Sequence, residues 1–94
     1  MECSSLELTT HVVQRLFSRR ISIADVRATI QQGQIIAAYP TDKPYPSLLL
    51  LHFTDNQPLH VVVAQDAATA MCVVITAYRP DPLLWDSNFV HKKK

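Results

Sequence analysis

The hydrophobic period of this chain changes once, at Gln34, and that change constrains the fold more than any other feature. Before it, apolar residues recur at helical spacing. Leu8, Val12, Val13, Leu16 and Phe17 form one stripe within residues 7–18, and Ile23, Val26 and Ile30 form a second. Ser22, with Asp25 three residues on, approximates a capping box, and Gly33 stands where a left-handed C-terminal cap belongs. Thr9 or Thr10 would cap a shorter first helix. The link Ser18-Arg19-Arg20-Ile21 is short enough to force a helical hairpin over residues 7–32. Beyond Gln34 the segments 34–39, 47–53, 58–65 and 71–78 read as strands, rich in Val, Ile and Leu. Pro80 and Pro82 then bar further pairing and leave residues 79–94 as a tail, with a short helical turn through Leu83–Trp85. The expectation is a single α+β domain over 1–94, its helical hairpin packed on one face of a four-stranded antiparallel sheet spanning 34–78.

Strand alternation then sorts the side chains. If Phe53 pairs with Leu59 and Gln65 with Met71, His52, His60 and Thr76 form a row across three strands, with Tyr78 one step beyond. Leu49, Leu51, Phe53, Leu59, Val61, Val63, Val73, Ile75 and Ala77 would then face the helices. Leu48, Leu50, Val62, Cys72 and Val74 would share the polar face, an apolar remainder to be covered by the Trp85 tail or by another protein.

Polar groups in valine-rich strands need a reason. Two cross-strand histidines lack a third metal ligand at usual spacing, so no metal is expected. A Cys–His nucleophile fails because Cys72 is expected to pair with Ala64, away from His60. Acid–base chemistry fits the residue types better: His titrates near neutrality, Tyr orients or donates, and Arg stabilises charge on a phosphate. That set, His60, Tyr78 and Arg79, suits RNA cleavage in which the 2′-hydroxyl is the nucleophile. The plainer alternative makes His60 a satisfied strand histidine bonded to a neighbour such as Thr76. Trp85 reads as a core plug sooner than as a stacking platform. His11 and Arg15, four apart, share a helix face and either solvate it or approach the strand ends.

Composition narrows the classes. One glycine in 94 residues excludes a Gly-rich phosphate cradle, and no cofactor is implied. The net charge of +1 rests on Lys92, Lys93 and Lys94, so any nucleic-acid binding would depend on local patches such as Arg15, Arg19 and Arg20. Cys3 and Cys72 lack motif spacing and do not make a disulfide framework; Cys3 is expected in a frayed terminus and Cys72 in a strand. No signal peptide or membrane-spanning run is present, and a reducing cytoplasm is the expected location.

Several motifs together resemble a family. They are His11-x-x-x-Arg15-x-x-x-Arg19, Ile21-Ser22-x-x-Asp25-Val26 and Gly33-x-Ile35-Ile36-x-x-Tyr39, then Leu59-His60-Val61-Val62, Thr76-Ala77-Tyr78-Arg79-Pro80 and Trp85. The pattern resembles the bacterial domain-of-unknown-function family forty-two fifty-eight, itself distantly similar to the RelE and BrnT toxins of type II toxin–antitoxin modules. The resemblance implies a RelE-like fold and a cofactor-free endoribonuclease, neutralised by an antitoxin protein such as a zinc-finger protein of the MqsA type. Many RelE relatives open with a strand that this reading does not place.

Two functions follow as expectations. In the first, the chain is a toxin that cleaves RNA: His60 is general acid or base, Tyr78 orients phosphate or proton, and Arg79 clamps the scissile phosphate. His11, Arg15, Arg19 and Lys92 would then contact the substrate backbone. In the second, the chain is a non-catalytic interaction module that binds a protein partner, or itself as a homodimer, through its half-apolar sheet face.

Overall fold

A computed structural model describes residues 1–93. In chain order the elements are β1 (Ser5–Glu7), α1 (Thr10–Ser18), α2 (Ile23–Gln32), β2 (Gln34–Tyr39), β3 (Ser47–Thr54), β4 (Gln57–Gln65) and β5 (Met71–Tyr78). The sheet has five strands in the order β1-β5-β4-β3-β2, with β1 parallel to β5 and the others antiparallel. The α+β class and the four later strands match expectation. The N-terminal strand does not: the helices were expected to open the fold, and three residues of strand precede them. Too short to show alternation, β1 is held by its pairing of Leu6 with Cys72 and by the bond from Ser4 N–H to the Ala70 carbonyl at 2.9 Å.

Cys3 and Cys72 are disulfide-bonded, against the expectation that they make no disulfide framework and that Cys3 lies in a frayed terminus. The new strand explains the error. Pairing Leu6 with Cys72 carries the terminus along β5, so Cys3 is packed against the core rather than frayed.

Each helix packs chiefly on strands, α1 on β5 and α2 on β3 and β4. Thr9 caps α1, its side chain accepting from Val12 N–H, and Ser22 caps α2 by accepting from Asp25 N–H. Val12, Leu16, Val26 and Ile30 supply the buried helical stripe, whereas Val13, Phe17 and Ile23 are exposed. A left-handed cap does occur, but at the end of α1. Arg20 has φ 57°, with Arg20 N–H bonded to the Phe17 carbonyl and Ile21 N–H to the Leu16 carbonyl. Gly33 is extended instead (φ −71°), and its lack of a side chain serves a close approach: a Cβ there would lie 2.3 Å from the Thr29 carbonyl oxygen.

The turn between β3 and β4 decides which side chains meet the helices. Asp55 and Asn56 both have positive φ (52° and 60°), making the two-residue turn whose twist suits a hairpin. Thr54 therefore pairs with Gln57, His52 with Leu59 and Leu51 with His60, one residue away from the expected register. A one-residue slip turns every side chain of a strand over. The helix-facing core accordingly contains Leu50, Leu59, Val61, Val63, Cys72, Val74 and Ala77. Leu49 and Leu51, expected there, are buried on the opposite face with His60, while Phe53 and Ile75 are exposed. Leu50, Cys72 and Val74, expected on the polar face, lie in the core. The β4–β5 hairpin is one residue off the expected register and also carries a bulge beyond Val62, and the two shifts together place His60 opposite Tyr78 rather than Thr76. Cys72 pairs with Gln65 and not with Ala64.

Candidate functional site

The tail after β5 crosses the sheet face opposite the helices, and His60 sits beneath it. His60 is fully buried near the start of β4, between Tyr78 and Trp85. Its ring meets Trp85 edge-on at 4.4 Å between centroids and Tyr78 at 5.3 Å. Its Nε2 lies 2.8 Å from the Phe89 carbonyl oxygen and its Nδ1 lies 3.2 Å from the Tyr78 hydroxyl. A carbonyl can only accept, so Nε2 carries the proton. In the neutral ring Nδ1 then accepts from the Tyr78 O–H, which fixes one tautomer. Burial lowers the His60 pKa, partly offset by the Phe89 carbonyl, which favours the protonated ring. Burial also raises the Tyr78 pKa, with a smaller contribution from Tyr39. At neutral pH the pair is therefore uncharged, as its hydrogen bonding requires.

Arg79 is occupied as well. Its guanidinium donates to Thr54 Oγ1 at 2.7 Å and to the Gln57 and Pro58 carbonyls at 3.2 and 3.3 Å, and it pairs with Asp25 at 3.5 Å. It thereby ties the β3–β4 hairpin to the first turn of α2. The fold thus brings His60 and Tyr78 together and keeps Arg79 at the same strand end, but His52 lies on the helix side of β3, opposite Leu59. Thr76 pairs with Val62 and accepts from Arg19 at 3.3 Å, so it takes no part in the His60 group.

Of the expected substrate contacts, His11 and Arg15 are exposed on α1. Arg19 reaches β5, donating to the Ala77 carbonyl at 2.8 Å. Lys92 bridges to Trp85 through its backbone and holds its ammonium 5.7 Å from the indole, so it belongs to the tail. Lys94, the end of the expected lysine run, lies outside the described residues. Trp85 is a plug, 7% exposed, and the tail covers the sheet face around His60, while Phe53 on that face and Leu83 and Leu84 of the tail stay exposed. Phe89 was not foreseen. It binds His60 through a main-chain carbonyl, which leaves no mark in residue type, and its ring packs edge-on against Phe53 at 6.4 Å.

Among the described residues no cluster of three or more His, Cys, Asp or Glu is placed to hold a metal ion, and no helix is long and apolar enough to cross a membrane. No curated protein and no solved structure matches the chain. A family model described as a domain of unknown function, DUF4258, matches residues 8–79, taking in both helices, four of the five strands and the His60, Tyr78 and Arg79 positions, and the chain belongs to that family.

Proposed function

We propose that this chain acts by binding another protein, and that its His60, Tyr78 and Arg79 are framework rather than catalytic machinery. The observation that carries this reading is the condition of His60, which has no exposed surface and spends both ring nitrogens inside the fold. A general acid or base must come within hydrogen-bond reach of the proton it moves. Here the Trp85 ring and the Phe89 carbonyl occupy the space that a substrate would need. The partner is a second protein or a second copy of this chain. Because the tail occupies the sheet face around His60, we place docking on the helices and the sheet edges. Purified protein incubated with RNA tests the reading: the RNA should stay intact, and His60→Ala should lower the melting temperature. RNA cleavage that Tyr78→Phe abolishes without altering the fold would overturn it.

A second reading, a toxin that cleaves RNA without metal and is neutralised by an antitoxin of the MqsA zinc-finger type, is favoured by β1. Many RelE relatives open with a strand, and this chain has one beside its last strand. In this reading the tail lifts, and neutral His60 acts as the base with Tyr78 orienting and Arg79 holding phosphate. His11, Arg15, Arg19 and Lys92 would contact the RNA backbone. Inducible expression with and without the neighbouring open reading frame separates the two. Growth arrest that the neighbour relieves supports the toxin, whereas harmless expression of folded protein removes it. The Cys3–Cys72 bond favours an oxidising compartment over the expected reducing cytoplasm for either function. Free Cys3 and Cys72 thiols, alkylated in cells before lysis, would restore the cytoplasm; a fully bonded pair would exclude it.

A further inference from the structure

The end of α1 combines backbone strain, exposed hydrocarbon and uncompensated positive charge in one place. Arg20 occupies the left-handed position of the helix-terminating turn, where glycine is the residue of least strain. Both hydrogen bonds of that turn are main-chain, and its apolar contact is supplied by buried Ile21 and Leu16. The Arg20 side chain does nothing for the turn, and a glycine would serve it better. A strained non-glycine residue whose side chain takes no part in the turn points to a use for that side chain.

The surroundings indicate what that use is. Phe17 is 86% exposed, the most exposed of the large apolar side chains, and Val13 precedes it by one turn on the same side of α1. Phe17, Ser18, Arg20, Ile21 and Ser22 line a cleft of about 590 Å³ at the turn between the helices. Arg19 adjoins the cleft residues in sequence without lining it, and its guanidinium is already anchored on Thr76 and the Ala77 carbonyl, so less side-chain freedom is lost on binding. From Leu8 to Ala24 the chain carries Arg15, Arg19 and Arg20 and no acidic residue. The nearby carboxylate of Asp25 is already paired with Arg79.

We propose that the α1–α2 turn is a docking site for an acidic segment of a partner protein, which seats an apolar side chain against Phe17 and Ile21 and places its carboxylates on Arg19 and Arg20. This rests on the protein-binding reading above and names the surface and the partner's chemistry. Charge complementarity selects the acid, and the hydrocarbon of Phe17, Val13 and the cleft favours a peptide over a nucleic-acid backbone, whose contacts are dominated by phosphate.

Fluorescence anisotropy of the full chain tests the proposal with three labelled probes: a peptide of glutamates with interspersed leucines, the same peptide with serines for leucines, and a uridine oligonucleotide of equal charge. The leucine peptide should bind best. Arg20→Gly should weaken it about tenfold while leaving the melting temperature equal to or above that of the unaltered chain, and Phe17→Ser should weaken it without unfolding. Leucine-peptide binding unchanged in both variants would overturn this site and leave protein binding elsewhere intact. Preference for the oligonucleotide would overturn both the site and the protein-binding reading. Absence of binding by every probe would also overturn the site, and so would an Arg20→Gly chain that melts below the unaltered one.

Discussion

Replacing His60 by alanine tests the main structural claim, that this residue is the keystone between the sheet and its tail. Truncation removes a ring packed 4.4 Å from the Trp85 centroid and 5.3 Å from Tyr78, at a site without solvent exposure. Comparable large-to-alanine changes in cores destabilise by about 2–5 kcal/mol. The Tyr78 hydroxyl and Phe89 carbonyl each lose a partner, adding about 1 kcal/mol apiece where water cannot replace it. Because the tail lies at the surface, water recovers part of that, and the net expectation is about 3–5 kcal/mol. For a domain of this size that is a fall in melting temperature on the order of 20 °C. Circular dichroism follows the sheet, and the emission of Trp85, the only tryptophan, follows the tail. The tail should loosen first, with a red shift of emission below the main transition. Tyr78→Phe, which removes one hydrogen bond and keeps the ring, should lower stability by only about 1 kcal/mol. A shift under about 4 °C for His60→Ala, near 1 kcal/mol, would refute the keystone argument and return His60 to the catalytic reading.

Stability should also depend on pH through the same residue. Burial holds the folded-state pKa of His60 below its ordinary value of 6.5, so the unfolded chain binds the proton more readily. His60 therefore contributes fully above pH 6.5, and stability falls as pH drops from there through the lowered folded-state pKa; a denaturation series should show this slope, and one unchanged in His60→Ala would assign it to other groups. The Cys3–Cys72 bond closes a loop with a sequence separation of 69, for which chain entropy alone gives about 4 kcal/mol as an upper figure. Reductant should lower the melting temperature of the unaltered chain and leave Cys3→Ser unmoved, and equal responses would show that the bond is not formed in solution. Gly33→Ala should destabilise by about 1–3 kcal/mol, because a Cβ would press on the Thr29 and Leu51 carbonyls. A melting temperature at or above the original would show that α2 shifts freely at its end.

The fold class was legible because periodicity reports burial directly. The change at Gln34, the Ser22 cap and the four later strands all rest on which faces of an element are apolar. The register was not, because it hangs on backbone dihedrals at Asp55 and Asn56. Both residues tolerate positive φ, but neither announces it as an Asn-Gly pair would. One residue of slip then exchanged the faces of β3, placing Leu50 in the core and Leu51 beside His60. The left-handed cap misled for a related reason. Glycine is preferred there but not required, and the fold uses Arg20 at the left-handed turn while Gly33 makes room for two carbonyls. β1 escaped notice because three residues cannot show a period at all.

The candidate site shows where residue type stops informing. His, Tyr and Arg in apolar strands are what acid–base chemistry needs, and they are equally what a tail needs to be fastened across a sheet. The two uses differ in the second partner of each group. A catalytic imidazole keeps one nitrogen for the substrate, whereas His60 gives one nitrogen to Tyr78 and the other to a main-chain carbonyl 29 residues along the chain. Arg79 likewise spends its donors on Thr54, two carbonyls and Asp25. Main-chain acceptors are common to all residue types, so no inspection of side chains could have located them. The converse holds at the α1–α2 turn, where the side chains have few partners of their own. There Phe17 and Arg20 stand free of the structural duties that account for His60 and Arg79, and a residue that the fold does not need is the better place to look for function.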